Sequence, residues 1–247
     1  MPLPAGFGAR PFAHRGLHGP GRPENSLAAA RAAVEAGYGI EIDLQPSACG
    51  AAMVFHDAAL ERLTGEAGPV AARPAAALEA LRLAGSDQTI PRLEALLAEV
   101  AGRVPLLIEL KAQPEAAADA ALAGAVARAL EGYAGPVAAM SFSPRPIAVL
   151  REVAPGLARG LVTCAFEGED AAGLTEAERA RLRGIADLEP LGCAFVSHDR
   201  RDLDRPRLVA LRAAGLPVFC WTVRSPAEEA AARLGADQVT FEGYLPA

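Results

Sequence analysis

Short apolar and β-branched runs alternate along this chain with Ala- and Leu-rich segments of helical period. That alternation predicts a parallel sheet whose strands are joined by crossover helices. The strand-like runs are Arg10–His14, Gly39–Gln45, Val104–Lys111, Val137–Phe142, Arg159–Thr163, Ala194–Ser197, Pro217–Thr222 and Gln238–Phe241. A closed barrel needs eight such strands, so the expected fold class is α/β, a TIM (β/α)8 barrel. A doubly wound sheet fits the same alternation, but no Gly-x-Gly-x-x-Gly follows the first strand to favour a dinucleotide fold.

The helical segments carry their own punctuation. Leu93, Leu96, Leu97 and Val100 recur at i, i+3, i+4 and i+7 ahead of Gly102, which predicts an amphipathic helix with a glycine stop. Ser225-Pro226-Ala227-Glu228 reads as a capping box with Pro at the first helical position, and Asn25 or Ser26 caps a helix over Leu27–Ala36. Residues 46–103 are too many for a simple crossover and include the apolar run Ala51–Phe55 and Pro-containing turns. They are expected to form a small insertion on the barrel rim after the second strand. Nothing mid-chain reads as a linker, so residues 1–247 are expected to make one barrel domain.

The chemistry lies on the polar faces of two strands. In Gly39-Ile40-Glu41-Ile42-Asp43-Leu44-Gln45 the period of two sends Ile40, Ile42 and Leu44 to one side and Glu41, Asp43 and Gln45 to the other. With the apolar side under the helices, two carboxylates point into the barrel mouth, where desolvation and repulsion are costly unless a cation joins them. Leu106 to Lys111 repeats the arrangement, with Glu109 and Lys111 sharing a face opposite Ile108 and Leu110. Three oxygen ligands completed by water suit one hard divalent cation, Mg²⁺ or Ca²⁺, rather than zinc. The plainer alternative is a structural Glu109–Lys111 ion pair beside an exposed Glu41/Asp43 edge strand. Two histidines, His14 and His56, each follow a strand-like run, and an imidazole there is suited to proton transfer near neutrality.

Composition narrows the partners. A net charge of −6 argues against a sequence-independent grip on nucleic acid, so a small anion would need a local cluster of cations. The 51% hydrophobic content suits a large packed core. The longest apolar runs fall short of a membrane span, and the opening residues lack a basic start followed by an apolar stretch, so a soluble cytoplasmic protein is expected. Cys49, Cys164, Cys193 and Cys220 form no CxxC pair and are expected to be buried reduced thiols. Nothing in the sequence fixes the oligomeric state.

Taken in order, Ala13-His14-Arg15-Gly16, Pro23-Glu24-Asn25-Ser26, Glu41-Ile42-Asp43, His56-Asp57 with Leu60, Arg62 and Thr64, Ile108-Glu109-Leu110-Lys111, and Gly215 through Trp221-Thr222-Val223 resemble the glycerophosphodiester phosphodiesterase family over nearly the whole chain. The resemblance implies a TIM barrel with its site at the C-terminal ends of the strands. It implies that Glu41, Asp43 and Glu109 bind the metal, with Mn²⁺ a further fit, and that His14 and His56 are base and acid. Arg15 and Lys111 would hold the phosphate, and Trp221 would wall the glycerol moiety. The implied substrate is a small glycerophosphodiester, cleaved to an alcohol and glycerol 3-phosphate. A phospholipase-type lyase ending at a cyclic phosphate, and a barrel that binds phosphodiesters without turnover, are the rival readings.

The chain departs from the family pattern at Arg224, where Asn is usual, and at Thr240-Phe241-Glu242, where a Thr-Asp-like pair is common. His198-Asp199 reads as a rim loop and His18 as part of a Gly-rich loop. Asn25 is accounted for by helix capping.

Overall fold

The computed structural model describes residues 1–246, apart from the side chains of residues 169 and 170. Its strands are β1 (Phe12–Ala13), β2 (Gly39–Pro46), β3 (Ala52–Val54), β4 (Leu106–Leu110), β5 (Val137–Ser141), β6 (Ala158–Thr163), β7 (Phe195–Asp199), β8 (Val218–Val223) and β9 (Gln238–Phe241). All pair in parallel except β3, which runs antiparallel to β2 on the outside. Pairing of β1 with both β9 and β2 closes the other eight into a barrel. The expected fold class holds: a TIM (β/α)8 barrel. Among the described residues no helix is long and apolar enough to cross a membrane.

The alternation along each strand builds two cores. Ile40, Ile42 and Leu44 of β2 and Leu106, Ile108 and Leu110 of β4 pack outward against helices such as Leu27–Ala36 and Leu93–Val100. Inside the barrel, Phe12, Leu107, Phe195 and Phe219 fill the lumen, and Phe7 of the N-terminal segment joins them. The Phe195 and Phe219 centroids are 5.3 Å apart, and Phe12 and Phe219 5.7 Å. Gly160 on β6 makes room for this layer, since a Cβ there would lie 2.6 Å from the Phe195 ring. This aromatic layer forms a floor beneath the cavity at the C-terminal mouth of the barrel.

The segment after β2 has a small core of its own. Met53, Phe55, Leu60, Val70, Leu78 and Ile90 cluster together, whereas Leu93, Leu96, Leu97 and Val100 belong to the main core. The insertion is thus anchored at β3, and the Leu93–Val100 helix serves as the crossover into β4. The glycine stop is displaced by one residue: Ala101 takes the left-handed C-cap, with Gly102 also at positive φ.

Other local expectations need correcting. Ser26 caps Leu27–Ala36, accepting from the Ala29 amide at 3.1 Å, and Asn25 is used elsewhere. Ser225 caps Pro226–Ala232, but Glu228 accepts from the Arg224 amide rather than completing the reciprocal box. Cys164 and Cys220 are buried as expected; Cys193 is half-buried, and Cys49, in the turn after β2, is exposed.

Candidate active site

All eight sequence-selected residues, His14, Arg15, Glu41, Asp43, His56, Glu109, Lys111 and Trp221, line one cavity of about 200 Å³ at the C-terminal mouth of the barrel. Parallel register sets Asp43 directly beside Glu109. Glu41, Asp43 and Glu109 are at most 7% exposed, and one ligand oxygen from each lies within 4.8 Å of the others. The exposed-edge alternative fails for β2, which is hydrogen-bonded to β1 and β4. The Glu109–Lys111 ion pair does form, but inside the cavity: Lys111 Nζ bonds Asp43 Oδ1 at 2.7 Å and Glu109 Oε1 at 2.5 Å.

The electrostatics follow from that crowding. Burial, then repulsion from Asp43 and Glu109, holds the Glu41 carboxyl well above its usual range. Burial also raises Glu109. For Asp43 burial pushes the same way, but Lys111, His56 and Arg15 outweigh it and hold the carboxyl well below the usual range. Lys111 is raised by Asp43 and Glu109 against the opposing effect of burial.

The His14-Arg15-Gly16 turn is tight for a steric reason. Gly16 has φ +80°, and a Cβ there would stand 2.9 Å from the backbone of Ala29. Arg15 and Asn25 both adopt left-handed backbone, and the Asn25 amide donates to the Arg15 carbonyl at 2.8 Å. The Arg15 amide is thereby aimed at Glu41 Oε2, 3.1 Å away, while its guanidinium bonds Glu24 at 2.7 Å and lies 3.3 Å from Asp43. Asn25 donates to Asp43 Oδ2 at 3.0 Å and accepts from the Asp43 amide at 3.2 Å, so it orients a site carboxylate rather than capping a helix.

Each histidine is held through Nδ1 by a carboxylate. His14 Nδ1 lies 2.6 Å from Glu242 Oε2, and His56 Nδ1 lies 2.7 Å from Asp57 Oδ1. Glu242 is held well below its usual range, first by the hydrogen bond from His14. An ionised carboxylate only accepts, so each imidazole carries its proton on Nδ1 and leaves Nε2 free. Both histidines titrate below the ordinary 6.5, chiefly through burial; Glu242 and Asp57, respectively, partly oppose the shift. Gln45, third on the inward face of β2, donates to the His56 carbonyl at 3.0 Å and fixes that loop.

Several contributors carried no assigned role in the sequence: Glu242, Glu24, Asp57, and Arg62, which bonds both Glu24 and Asp57. Glu24, Asp57, Arg62 and Asn25 sit inside the motif runs, so a signal was present; Glu242 was visible only as a departure. Trp221 donates from Nε1 to the Ser197 carbonyl at 3.2 Å and meets Phe142 edge-on at 5.4 Å. His198 is no rim loop: it is fully buried on β7, with Nδ1 2.7 Å from Thr163 Oγ1. His18 is 3.7 Å from Glu242.

A polar cavity at the C-terminal face of a TIM barrel is where enzymes of this fold hold their active sites. Residues 14–241 match the Glycerophosphoryl diester phosphodiesterase family, and the chain belongs to it. A phosphodiesterase of Oleispira antarctica, solved with the product sn-glycerol-3-phosphate, is 25% identical with a TM-score of 0.78, covering 97% of this chain and 93% of its own. A glycerophosphodiester phosphodiesterase of Agrobacterium tumefaciens str. C58 is 26% identical with a TM-score of 0.67, covering 93% and 94%. The Bacillus subtilis (strain 168) protein YhdW is 29% identical over 235 residues, 91% of this chain and 89% of the relative.

Proposed function

We propose that this phosphodiesterase hydrolyses glycerophosphodiesters such as glycerophosphocholine or glycerophosphoethanolamine to an alcohol and glycerol 3-phosphate, with one divalent cation and two histidines. Residues 1–247 are taken as one barrel domain; within the stretch 46–103, the rim insertion ahead of the Leu93–Val100 crossover helix supplies His56 to the site. The observation that carries it is the meeting of three buried carboxylates, two cations and two carboxylate-bound imidazoles in one cavity.

The residues fit a hard cation. Their donors are all oxygen, and burial with mutual repulsion disfavours full ionisation of Glu41 and Glu109, a cost that a divalent ion between them removes. Glu41, Asp43 and Glu109 would hold Mg²⁺ or Ca²⁺, with Mn²⁺ a further fit. When bound, the ion supplies charge stabilisation for the phosphoryl oxygens. Arg15 and Lys111 add fixed positive charge to the same end of the cavity, where electrostatic stabilisation is usually the largest catalytic contribution.

His14 Nε2, its lone pair exposed by the Glu242 contact, takes the proton from an attacking water. His56 Nε2 delivers a proton to the departing oxygen as the P–O bond to the alcohol breaks; the negative charge of the bound diester favours its imidazolium form. Trp221 stands as an apolar wall beside the glycerol moiety. A small soluble substrate is supported by the Oleispira antarctica relative's complex with sn-glycerol-3-phosphate.

Product analysis by ³¹P NMR tests the reaction. Glycerol 3-phosphate is expected to form directly and to carry solvent oxygen when the reaction is run in isotopically labelled water. A cyclic phosphate as the end product would overturn hydrolysis in favour of a lyase.

A further inference from the structure

The walls of the active-site cavity differ in charge. On the β2 and β4 side stand its three carboxylates, with Arg15 and Lys111 among them. Arg15 bonds Glu24 at 2.7 Å and lies 3.3 Å from Asp43, and Lys111 is held by Asp43 and Glu109, so the positive charge there is matched by carboxylate. Around the rest of the mouth, on or just after β5, β6 and β8, the lining residues are Met140, Phe142, Val162, Trp221, Thr222 and Arg224. Arg224 is the one charged group on that largely apolar wall.

Arg224 directly follows β8, and its side chain is 56% exposed. Its Nε donates to Glu242 Oε1 at 2.6 Å, and neither Nη group meets an acceptor among the described residues. The nearby carboxylates are already committed. Glu242 turns Oε2 to His14 Nδ1 at 2.6 Å, while Glu228 accepts from the Arg224 amide at 2.7 Å and pairs with Arg200 at 2.8 Å. Neither of them lines the cavity. A carboxylate or phosphate held against the Trp221 wall therefore gains charge-assisted hydrogen bonds from the Nη groups, a neutral hydroxyl gains less, and a quaternary ammonium is repelled.

We propose that Arg224 is a specificity-determining residue, selecting glycerophosphodiesters that carry a second anionic group, a carboxylate or a further phosphate, beyond the phosphate that reacts. The proposal rests on the phosphodiesterase reading of this site and narrows its substrate class.

The test compares glycerophosphoglycerol, glycerophosphoglycerate and bis(glycerophospho)glycerol as substrates of the wild type, Arg224→Gln and Arg224→Lys at low ionic strength. The first two match in size and differ in charge, and the third adds a phosphate. The quantity read is kcat/KM of each anionic diester over that of glycerophosphoglycerol; between variants of the enzyme, differences among the leaving alcohols cancel. Arg224→Gln should lower this ratio about three- to tenfold, Arg224→Lys should keep most of it, and added salt should shrink it in the wild type. Arg224 also supports Glu242, so Arg224→Gln is expected to lower kcat for all three substrates alike, a loss that leaves the ratio untouched. A ratio unchanged by Arg224→Gln overturns the proposal and leaves Arg224 as a support for Glu242 alone. A loss confined to bis(glycerophospho)glycerol narrows the ligand to diesters with a second phosphate.

Equilibrium dialysis of the same three diesters separates the two readings. Tighter binding of the anionic diesters, reduced about three- to tenfold by Arg224→Gln, supports the role of Arg224 even if no diester is turned over. Turnover of glycerophosphoglycerol with the same ratio in wild type and Arg224→Gln removes that role and leaves the hydrolytic reading standing. Arg224 lies on the surface, and thermal melting checks the fold of both variants.

Discussion

The inward carboxylates show how far single residues can be read from sequence. The alternation in Gly39–Gln45 and Leu106–Lys111 was enough to place Glu41, Asp43 and Glu109 on one face, because a strand's period is fixed by its geometry. Glu242 was not legible in the same way. It meets His14 across 228 residues, and only closure of β9 onto β1 brings the two together. Asn25 was misassigned because its residue type suits a helix cap; its left-handed backbone turns the side chain to Asp43 instead.

His14→Ala and His56→Ala should each lower kcat about 10²–10⁴-fold with folding intact, measured in steady state. A base of lowered pKa stays competent further into acid, so the acid limb of kcat/KM should lie below the ordinary histidine value of 6.5. The Glu242 hydrogen bond raises the His14 pKa against burial, so Glu242→Gln should move that limb further toward acid while lowering kcat. An unmoved limb would show that His14 is not the group it reports.

The elements were legible where local signals agree with tertiary packing. Strands β4 to β9 fall within the expected runs, give or take a few residues, because their apolar stretches are buried on both sides. β1 shrank to Phe12–Ala13 because the chain turns at His14-Arg15-Gly16, and β3 emerged from the Ala51–Phe55 run by pairing back on β2. His198 was misread because its sequence neighbours are polar; β7 continues to Asp199 and buries it. Gly160→Ala sets a Cβ against the Phe195 ring, an overpacking expected to cost about 1–3 kcal/mol in urea denaturation, and Phe195→Leu in the same chain should return part of it. Unchanged stability in the single variant would mean that the aromatic layer can shift freely.

For the whole molecule, cation binding and folding should be linked. A ligand present at about 100 times its Kd stabilises the folded state by about 2.7 kcal/mol, which for a chain of this size is a Tm rise of roughly 5–10 °C. Because Glu41 is held protonated more readily than a free carboxyl, a cation must displace that proton as the pH falls, so the Tm rise should shrink toward acid. Glu41→Gln should shrink it at every pH. A rise independent of both would place the cation elsewhere on the surface.

One assay bears on both the reaction and the metal. Purified protein is treated with EDTA, offered a panel of glycerophosphodiesters, and assayed for glycerol 3-phosphate before and after Mg²⁺, Ca²⁺ or Mn²⁺ is returned. No release is expected in EDTA, and restored release with at least one of the three ions. Full release in EDTA would contradict the metal's role, and no release with any diester under any ion would contradict the proposed reaction itself.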